Sequence, residues 1–289
     1  MFISGFTFVR NALRFDYPVV ESITSILDFC DEVVVLVGNS EDNTRKLIED
    51  INSPKIKIFD SVWDDSLREG GRVLAIETDK AFAKISEKAD WAFYLQADEA
   101  VHQKYLPVIK EAMLKYKNDF HVEGILFDYL HFYGSYDFVA SSRKWYRNEI
   151  RVIRNDKNIH SYRDAQGFRK DNRKLNVKAV DAFIYHYGWV KPPDKQQEKQ
   201  KSFHKLWHED EWLKKNVGDK NEFDYSKINS LKHFEGTHPK TMHQRIEKKN
   251  WKFDVDPSQK FFSVKDRLLT SVEKMTGKRV GEYRNYKII

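Results

Sequence analysis

The chain has 289 residues, of which 40% are hydrophobic, 14% aromatic and 33% charged, and its formal net charge is +6. The aromatic content excludes a disordered or low-complexity chain. The single cysteine, Cys30, excludes an internal disulfide framework and a cysteine-based zinc site. No segment approaches the run of about 20 apolar residues that a membrane-spanning helix needs.

The basic charge is concentrated in the last third of the chain. Residues 191–289 hold 23 Lys and Arg against 15 Asp and Glu, a local charge of +8. Such a segment predicts an anionic partner, whether nucleic acid, an acidic membrane face or a phosphorylated substrate, or else a solvated lysine-rich surface. The first residues, MFISGFTFVRNALRF, show neither a basic stretch nor a cleavage signal. We therefore expect a cytoplasmic protein, with peripheral membrane contact through the basic segment as one alternative.

The first half of the chain alternates strand-like and helix-like segments. Strands are predicted over Phe2–Val9, Val33–Val37, Ile56–Phe59 and Trp91–Leu95, and helices over Val19–Cys30, Thr44–Ile51 and Arg72–Ile85. This order is typical of a parallel sheet with right-handed crossovers.

The second half has a different pattern. Gly124–Tyr133, Ile150–Ile153 and Ala182–Tyr187 are predicted to be strands of a mixed sheet, and the lysine-rich chain beyond Pro192-Pro193 to be mainly helical. We expect residues 1–190 to form an α/β domain whose halves divide near residue 100. Residues 191–289 are then a mainly helical, basic C-terminal extension.

Polar residues follow the ends of the first four predicted strands. In an open α/β sheet, ligands bind beyond the carboxyl ends of the strands at a topological switch point. Neither GxGxxG nor GxxxxGK[ST] occurs, so the dinucleotide fingerprint and the P-loop are absent. Asp98, just after the fourth strand, is placed to hold Mg²⁺ or Mn²⁺, whereas alternation directs Glu99 the other way. The other interpretation is an acidic turn that only solubilises a loop.

Four segments resemble family 2 glycosyltransferases: Phe8–Asn11, Val33–Thr44, Arg72 at a helix start, and Asp90–Glu99. The similarity covers roughly residues 1–200 and looks closest to bacterial members that act on surface glycans and lipopolysaccharide cores. It implies the GT-A (nucleotide-diphospho-sugar transferase) fold, with a mostly parallel central sheet flanked by helices. It further implies transfer of a sugar from a nucleotide-sugar donor to a glycan or lipid-linked acceptor with inversion, assisted by Mn²⁺ or Mg²⁺.

The resemblance also implies roles for single residues. Asp98 and His186 are expected to hold the metal, although the residue pattern alone favours a packed strand histidine at His186. The full donor-binding set is Val9, Arg10, Asn39, Asp42, Arg68, Arg72, Gln96, Ala97 and Asp98. Two departures weaken the pattern: Gln96 stands where an acid is usual, and Val37-Gly38 stand where the family has an Asp or two. We therefore expect either weak metal affinity or a metal held largely by the diphosphate, and the sequence does not identify the nucleobase.

An inverting transfer needs a carboxylate that takes the acceptor's proton. By the resemblance, Asp164 is the candidate base; Asp128 and Asp137 are rivals, and a salt bridge to Arg163 is the structural alternative. On the acceptor side, alternation places Tyr129, His131 and Tyr133 on one half-polar face, which suits an acceptor cleft or an ordinary aromatic core strand.

Two other functions remain open from the sequence. A sugar nucleotidyltransferase usually has a glycine-rich basic loop after its first strand, and Thr7–Arg14 contains no glycine. A nucleic-acid-binding protein would use the basic extension, which contains no recognisable module. Within that extension, Phe261–Tyr286 has an amphipathic pattern that predicts either contact with an anionic membrane or packing against the rest of the protein.

Overall fold

The computed structural model describes residues 1–216, 220–257, 261–277 and 279–289. Its strands are β1 (Ile3–Val9), β2 (Glu32–Val37), β3 (Ile56–Asp60), β4 (Trp91–Tyr94), β5 (Glu99–Val101), β6 (Gly124–Tyr133), β7 (Ser135–Ala140), β8 (Asn148–Arg154), β9 (Ile159–Tyr162), β10 (Gly167–Lys170), β11 (Arg173–Trp189), β12 (Leu231–His233) and β13 (Tyr286–Ile288). Its α-helices are α1 (Val19–Leu27), α2 (Thr44–Glu49), α3 (Arg72–Phe82), α4 (Leu106–Lys115), α5 (Pro193–His204), α6 (Asp210–Asn216), α7 (His243–Glu247) and α8 (Val264–Thr276).

These strands form one sheet whose main path runs β3-β2-β1-β4-β8-β6-β11-β10-β9. The first four strands are parallel to one another, and the remainder is mixed, since β8 runs antiparallel to both β4 and β6. The α/β class predicted from the sequence is confirmed. Because β2 lies on one side of β1 and β4 on the other, the strand order reverses between β1 and β4.

Helices cover both faces of the parallel part of the sheet. Ile3 and Val9 point to the face covered by α1, whereas Phe6 points to the face covered by α3. Each residue of β2 is buried, which explains why this strand reads as an unbroken apolar run rather than an alternating one. The packing holds the carboxyl ends of β1, β2 and β4 at one edge.

The C-terminal segment is joined to the sheet rather than separate from it. Strand β12 pairs with β7, and β13 pairs with β11. In contrast, α8 buries none of its residues, and Val264 and Leu268 are 85% and 66% exposed. The side chains of Val264 and Leu268 are therefore exposed, whereas Leu269 and Val272 of the same helix are half-buried. None of the described helices has the length and apolar character needed to cross a membrane.

Candidate functional site

The strand order places a crevice at the carboxyl ends of β1 and β4. The carbonyl oxygen of Val9, the last residue of β1, accepts a hydrogen bond of 2.8 Å from the amide of Gly38, beyond β2. On the other side, the half-buried side chain of Gln96 follows β4 and donates from Nε2 to the carbonyl oxygen of Ala165 at 3.5 Å. A switch point of this kind is where open α/β sheets bind ligands.

One wall of the crevice is built from Arg10, Gly38, Asn39 and Trp63. The Arg10 guanidinium lies 5.5 Å from the centre of the Trp63 ring and pairs with Asp65. A β-carbon at Gly38 would come within 2.5 Å of Trp63 Nε1, so only glycine fits here. Buried Trp63 Nε1 has no hydrogen-bond partner among the described residues. The wall thus presents an aromatic ring and an unpaired N–H donor.

Two residues expected to bind the donor instead form their hydrogen bonds with other residues of the protein. The Asp42 carboxylate accepts hydrogen bonds from the backbone amides of Thr44, at 3.0 Å, and Arg14, at 2.7 Å. Arg68 donates to the carbonyl oxygens of Lys205 and His208 and pairs with Asp210. Arg68 therefore ties the C-terminal segment to the sheet edge instead of facing the crevice.

Arg72 differs from Arg68 in this respect. It is exposed at the first position of α3, and its side chain forms no hydrogen bond or ion pair with the described residues. Gly70 and Gly71 precede it, both with a positive φ, of 56° and 68°. Glycine adopts this conformation without steric cost, and the resulting turn leaves a free guanidinium at a helix N-terminus.

Asp98 and Glu99 point in opposite directions, as alternation predicts. Glu99 is fully buried and accepts two 2.8 Å hydrogen bonds from the Arg151 guanidinium, with a third from the Tyr129 hydroxyl at 2.9 Å. Asp98 instead faces Lys199 of α5, whose Nζ lies 3.1 Å from its Oδ2. Only Asp98 is thus directed toward a potential ligand.

The electrostatics around Asp98 favour its ionised form. Burial works to raise its pKa, but the ammonium of Lys199 holds the pKa of Asp98 well below its ordinary value. His186 Nε2 lies 3.8 Å from Asp98 Oδ2. A β-carbon at residue 188 would lie 2.6 Å from each of these atoms, so Gly188 is what permits their approach.

The tautomer of His186 follows from its partners. His131 Nε2 lies 2.8 Å from the carbonyl oxygen of Tyr146, which only accepts, so His131 carries its proton there. The two Nδ1 atoms lie 3.1 Å apart, and His186 Nδ1–H must then donate to His131. Burial lowers the pKa of both imidazoles, keeping them neutral. His186 Nε2 is therefore a bare lone pair directed toward Asp98.

The expected metal site does not fit this arrangement. A protein-held Mn²⁺ or Mg²⁺ needs several oxygen ligands, yet Asp98 is paired with an ammonium, Glu99 is held by Arg151 and Gln96 has replaced an acid. Within the described ranges, no three His, Cys, Asp or Glu side chains converge on a common point. Asp98 and His186 alone offer two ligands, and Lys199 occupies the carboxylate.

Asp164 lies on the far side of the same crevice, in the turn between β9 and β10. A β-carbon at Gly71 would contact Asp164 Cβ at 2.7 Å, so the turn lies against the start of α3. The residues on either side, Arg163 and Ala165, adopt positive φ angles of 56° and 61°. Such strain at non-glycine residues is typical of functional turns. Burial raises the pKa of Asp164, which improves it as a proton acceptor.

The rival bases are less well placed. Asp128 lies on the opposite face of β6 from Tyr129 and His131, and it accepts a hydrogen bond from Asn148. Asp137 is exposed on β7 and bonded to Ser135. Neither side chain hydrogen-bonds to Asp98 or to the Asp164 turn within the described residues.

The expected acceptor face of β6 is corrected by the structure. Tyr129, His131 and Tyr133 are 7%, 3% and 4% exposed. Tyr133 packs against Tyr225 and Phe253 of the C-terminal segment. The C-terminal segment thus covers Tyr133, whereas Tyr129 and His131 pack against Tyr146.

The sequence interpretation missed two residues of the site, Lys199 and Gly188. Lys199 stands in a lysine-rich helix that reads as a solvated surface, and Gly188 interrupts an ordinary strand pattern. A glycine within a strand indicates close approach of other atoms. Gly188 was therefore the one sequence feature that could have pointed to this part of the site.

Comparisons with known proteins give distant likenesses. The sequence matches no family model and no curated protein. Among solved structures, TarS 1–349 from S. aureus shares 12% identity at a TM-score of 0.39, over 75% of this chain and 69% of that one; a complex of it with UDP also matches. Against the longer TarS structure, the chain covers 39% of that chain.

Two further structures illustrate the range of matches. Glucosyl-3-phosphoglycerate synthase from Mycobacterium tuberculosis, with Mg²⁺ and UDP, shares 17% identity at a TM-score of 0.31, covering 44% of this chain and 43% of that one. The 4-diphosphocytidyl-2C-methyl-D-erythritol synthase from Anaerococcus prevotii shares 12% at 0.38, covering 66% and 89%. Similarities this distant carry no weight for function. Only the geometry of the site itself bears on what the site does.

Proposed function

We propose that this chain is a GT-A glycosyltransferase that moves a sugar from a nucleotide-sugar donor to a hydroxyl of a glycan or lipid-linked acceptor. The observation that carries the proposal is the crevice between β1 and β4. It combines the free guanidinium of Arg72, an aromatic wall at Trp63 and the buried Asp98–Lys199 pair at one switch point. Cations and an aromatic ring suit a nucleoside diphosphate.

The proposed reaction is a single displacement with inversion. The acceptor oxygen forms a bond to the anomeric carbon while the bond from that carbon to the donor phosphate oxygen breaks, its electron pair leaving with the diphosphate. Asp164 receives the acceptor's proton. The Arg72 guanidinium hydrogen-bonds the phosphate oxygens, whose charge grows as the bond breaks.

A sugar nucleotidyltransferase remains the second enzymatic candidate, because it would use the same crevice for a nucleotide. The two reactions differ in their products: a glycosyltransferase releases the nucleotide of its donor, whereas a nucleotidyltransferase releases pyrophosphate. Only the glycosyltransferase gives a role to a proton acceptor such as Asp164, and this observation favours it.

The exposed stripe on α8 supports a membrane-bound acceptor. Val264 and Leu268 are exposed beside Lys265 and Arg267, a combination that suits an anionic membrane face. Co-sedimentation with anionic vesicles at low salt, reduced by Leu268→Glu, would support this contact. Equal sedimentation with neutral vesicles, or none with anionic ones, would contradict it.

Nucleotide binding tests the proposal. We expect calorimetry to detect binding of UDP, GDP, dTDP or CMP to the wild-type chain, and Arg72→Met to weaken it by about tenfold, since a charged hydrogen bond to phosphate contributes roughly 1.5 kcal/mol. Lys88→Met, at the opposite edge of the sheet before β4, is the control and should bind normally. Binding of no nucleotide, or equal effects of both variants, would contradict the proposal.

A further inference from the structure

Lys199 is held inside the crevice by two hydrogen bonds. Its Nζ donates to Asp98 Oδ2 at 3.1 Å and to the carbonyl oxygen of Gly188 at 2.9 Å. An ammonium has three N–H groups, so one is left without a hydrogen-bond acceptor within the described ranges, and the Nζ lies 5.0 Å from the centre of the Tyr17 ring. Its side chain and that of Asp98 are each 11% exposed, and the pair thus lies at the inner end of the crevice without being sealed from it.

The helix that carries Lys199 is fixed in place. It begins directly after Val190 and Lys191, which are 2% and 0% exposed, and the Lys191 ammonium donates to the carbonyl oxygen of Phe15 at 2.7 Å. On the same face, one turn before Lys199, Gln196 is fully buried with neither amide atom hydrogen-bonded within the described ranges. The ammonium is therefore positioned by rigid neighbours, and an unpaired polar group lies on the same helix face.

Lys199 also blocks the pair of groups in the crevice that could begin a metal site. Asp98 Oδ2 and the lone pair of His186 Nε2 lie 3.8 Å apart, and both approach Gly188 so closely that a β-carbon there would clash with each of them. A cation placed between them would contact the same Oδ2 that Lys199 now holds. An ammonium and a divalent ion cannot both occupy this position, because their charges repel at close range.

We infer that the Lys199 ammonium stands in the position of a divalent cation, so that this lysine, rather than a metal ion, meets the diphosphate of the donor. The inference rests on the proposed function for the identity of the anion. The Asp98 carboxylate and the Gly188 carbonyl aim the ammonium, and the third N–H donates to a phosphate oxygen. An ammonium fixed before the substrate arrives needs no reorganisation during the reaction.

Two kinds of measurement test the inference. The first uses Mn²⁺ alone, followed by electron paramagnetic resonance. Wild-type protein should not bind it, whereas Lys199→Met should bind it weakly, because Asp98 and His186 are then free to act as two ligands and water completes the coordination. Lys195→Met, one turn away on the same helix, is the matched control and should behave as wild type. Binding of Mn²⁺ to wild type, or to neither protein, would overturn the inference.

The second measurement uses UDP and GDP in calorimetry, with EDTA or with Mn²⁺. Wild type should bind equally in both conditions. Lys199→Met should lose about tenfold or more in EDTA and recover with Mn²⁺, and Lys199→Arg, which keeps a cation, should retain binding in EDTA. Wild-type binding that disappears in EDTA would overturn the inference. If no nucleotide binds in any condition, the proposed function fails, and the Mn²⁺ measurement still decides the role of Lys199.

Discussion

The carboxylate of Glu99 and the guanidinium of Arg151 form a two-point ion pair with both N–O distances at 2.8 Å, and both side chains are at most 1% exposed. The pair joins β5 to β8 beneath the crevice. It fixes the direction of the chain at residue 99, and alternation then directs Asp98 the other way, toward Lys199. The two adjacent acids therefore have different roles: Glu99 stabilises the core, and Asp98 belongs to the candidate site.

Removing one partner of this buried pair should destabilise the protein strongly. Glu99→Gln leaves the Arg151 charge without its counter-ion, and we expect the free energy of unfolding to fall by about 3–5 kcal/mol. Urea denaturation measures it. Glu49→Gln removes a partner of the exposed Arg45 pair and should change stability by less than about 1 kcal/mol. Equal losses of unfolding free energy in the two variants would show that the buried Glu99–Arg151 pair matters no more to stability than an exposed ion pair.

Asp98→Asn should abolish most turnover while leaving the fold intact. The substitution keeps the shape but removes the charge that aims the Lys199 ammonium, and loss of one such fixed contact costs about 10²-fold or more in rate. Release of nucleotide from a nucleotide-sugar is the readout, with circular dichroism as the check on folding. A rate within a few-fold of wild type would remove Asp98 from the site.

Asp164→Asn should slow transfer and leave donor affinity nearly unchanged. A base acts on the acceptor's proton, so its contribution appears in the transition state and not in donor binding. Asp128→Asn is the matched control and should remain active. Should donor affinity collapse together with the rate, Asp164 is a donor contact or a structural residue; should Asp128→Asn be the slower variant, the base is Asp128.

Glu149 gives the protein a pH-dependent stability. Burial, helped by Glu99 and Asp164 and opposed by Arg151, raises its pKa to about 8 from 4.5. The folded chain thus keeps a proton that the unfolded chain releases between these values. The stabilisation is complete below pH 4.5 and is lost as the pH rises toward 8.

Glu149→Gln mimics the protonated acid and cannot ionise. Between pH 5 and pH 8 its free energy of unfolding should fall less than that of wild type, by a difference on the order of a few kcal/mol. Urea denaturation at several pH values measures it, with Glu247→Gln, an exposed residue of α7, as control. Parallel pH profiles for wild type and Glu149→Gln would show that Glu149 is ionised in the folded protein.

Local patterns predicted the parallel half of the sheet well, for physical reasons. Strand β2 lies between β1 and β3 and is buried on both faces, so Val33–Val37 form an unbroken apolar run that is readable in the sequence, and only Glu32 at its start is charged. The first helix was predicted to reach Cys30, whereas α1 ends at Leu27. The ends of a helix depend on capping and tertiary contacts, which the spacing of apolar residues does not reveal.

The mixed half was harder to predict. Strand β11 runs from Arg173 to Trp189 and is longer than the predicted Ala182–Tyr187. Its first residues were not predicted because they are polar and because they pair with β13, which comes from the end of the chain. The helix α4 was missed although Pro107 near its start and the buried Ile109 and Met113, four residues apart, indicate a helix.

Strand alternation could predict only the part of the candidate site that directly follows one strand. Asp98 follows the end of β4, and strand alternation indicates its direction. Lys199 lies 101 residues further along the chain, in a helix whose lysines look alike in sequence. Which of them is buried depends on how α5 docks on the sheet edge, and that is a property of tertiary packing.

The most direct test of the central claim is a proton NMR assay of the wild-type chain with UDP-, GDP-, dTDP- and CMP-sugars and a mixture of glycan acceptors. The account predicts that one donor is consumed in the presence of EDTA, that its nucleotide is released in equal amount, and that the new anomeric signal has the configuration opposite to that of the donor. Consumption of no donor, or formation of pyrophosphate from a nucleoside triphosphate and a sugar phosphate instead, would contradict it.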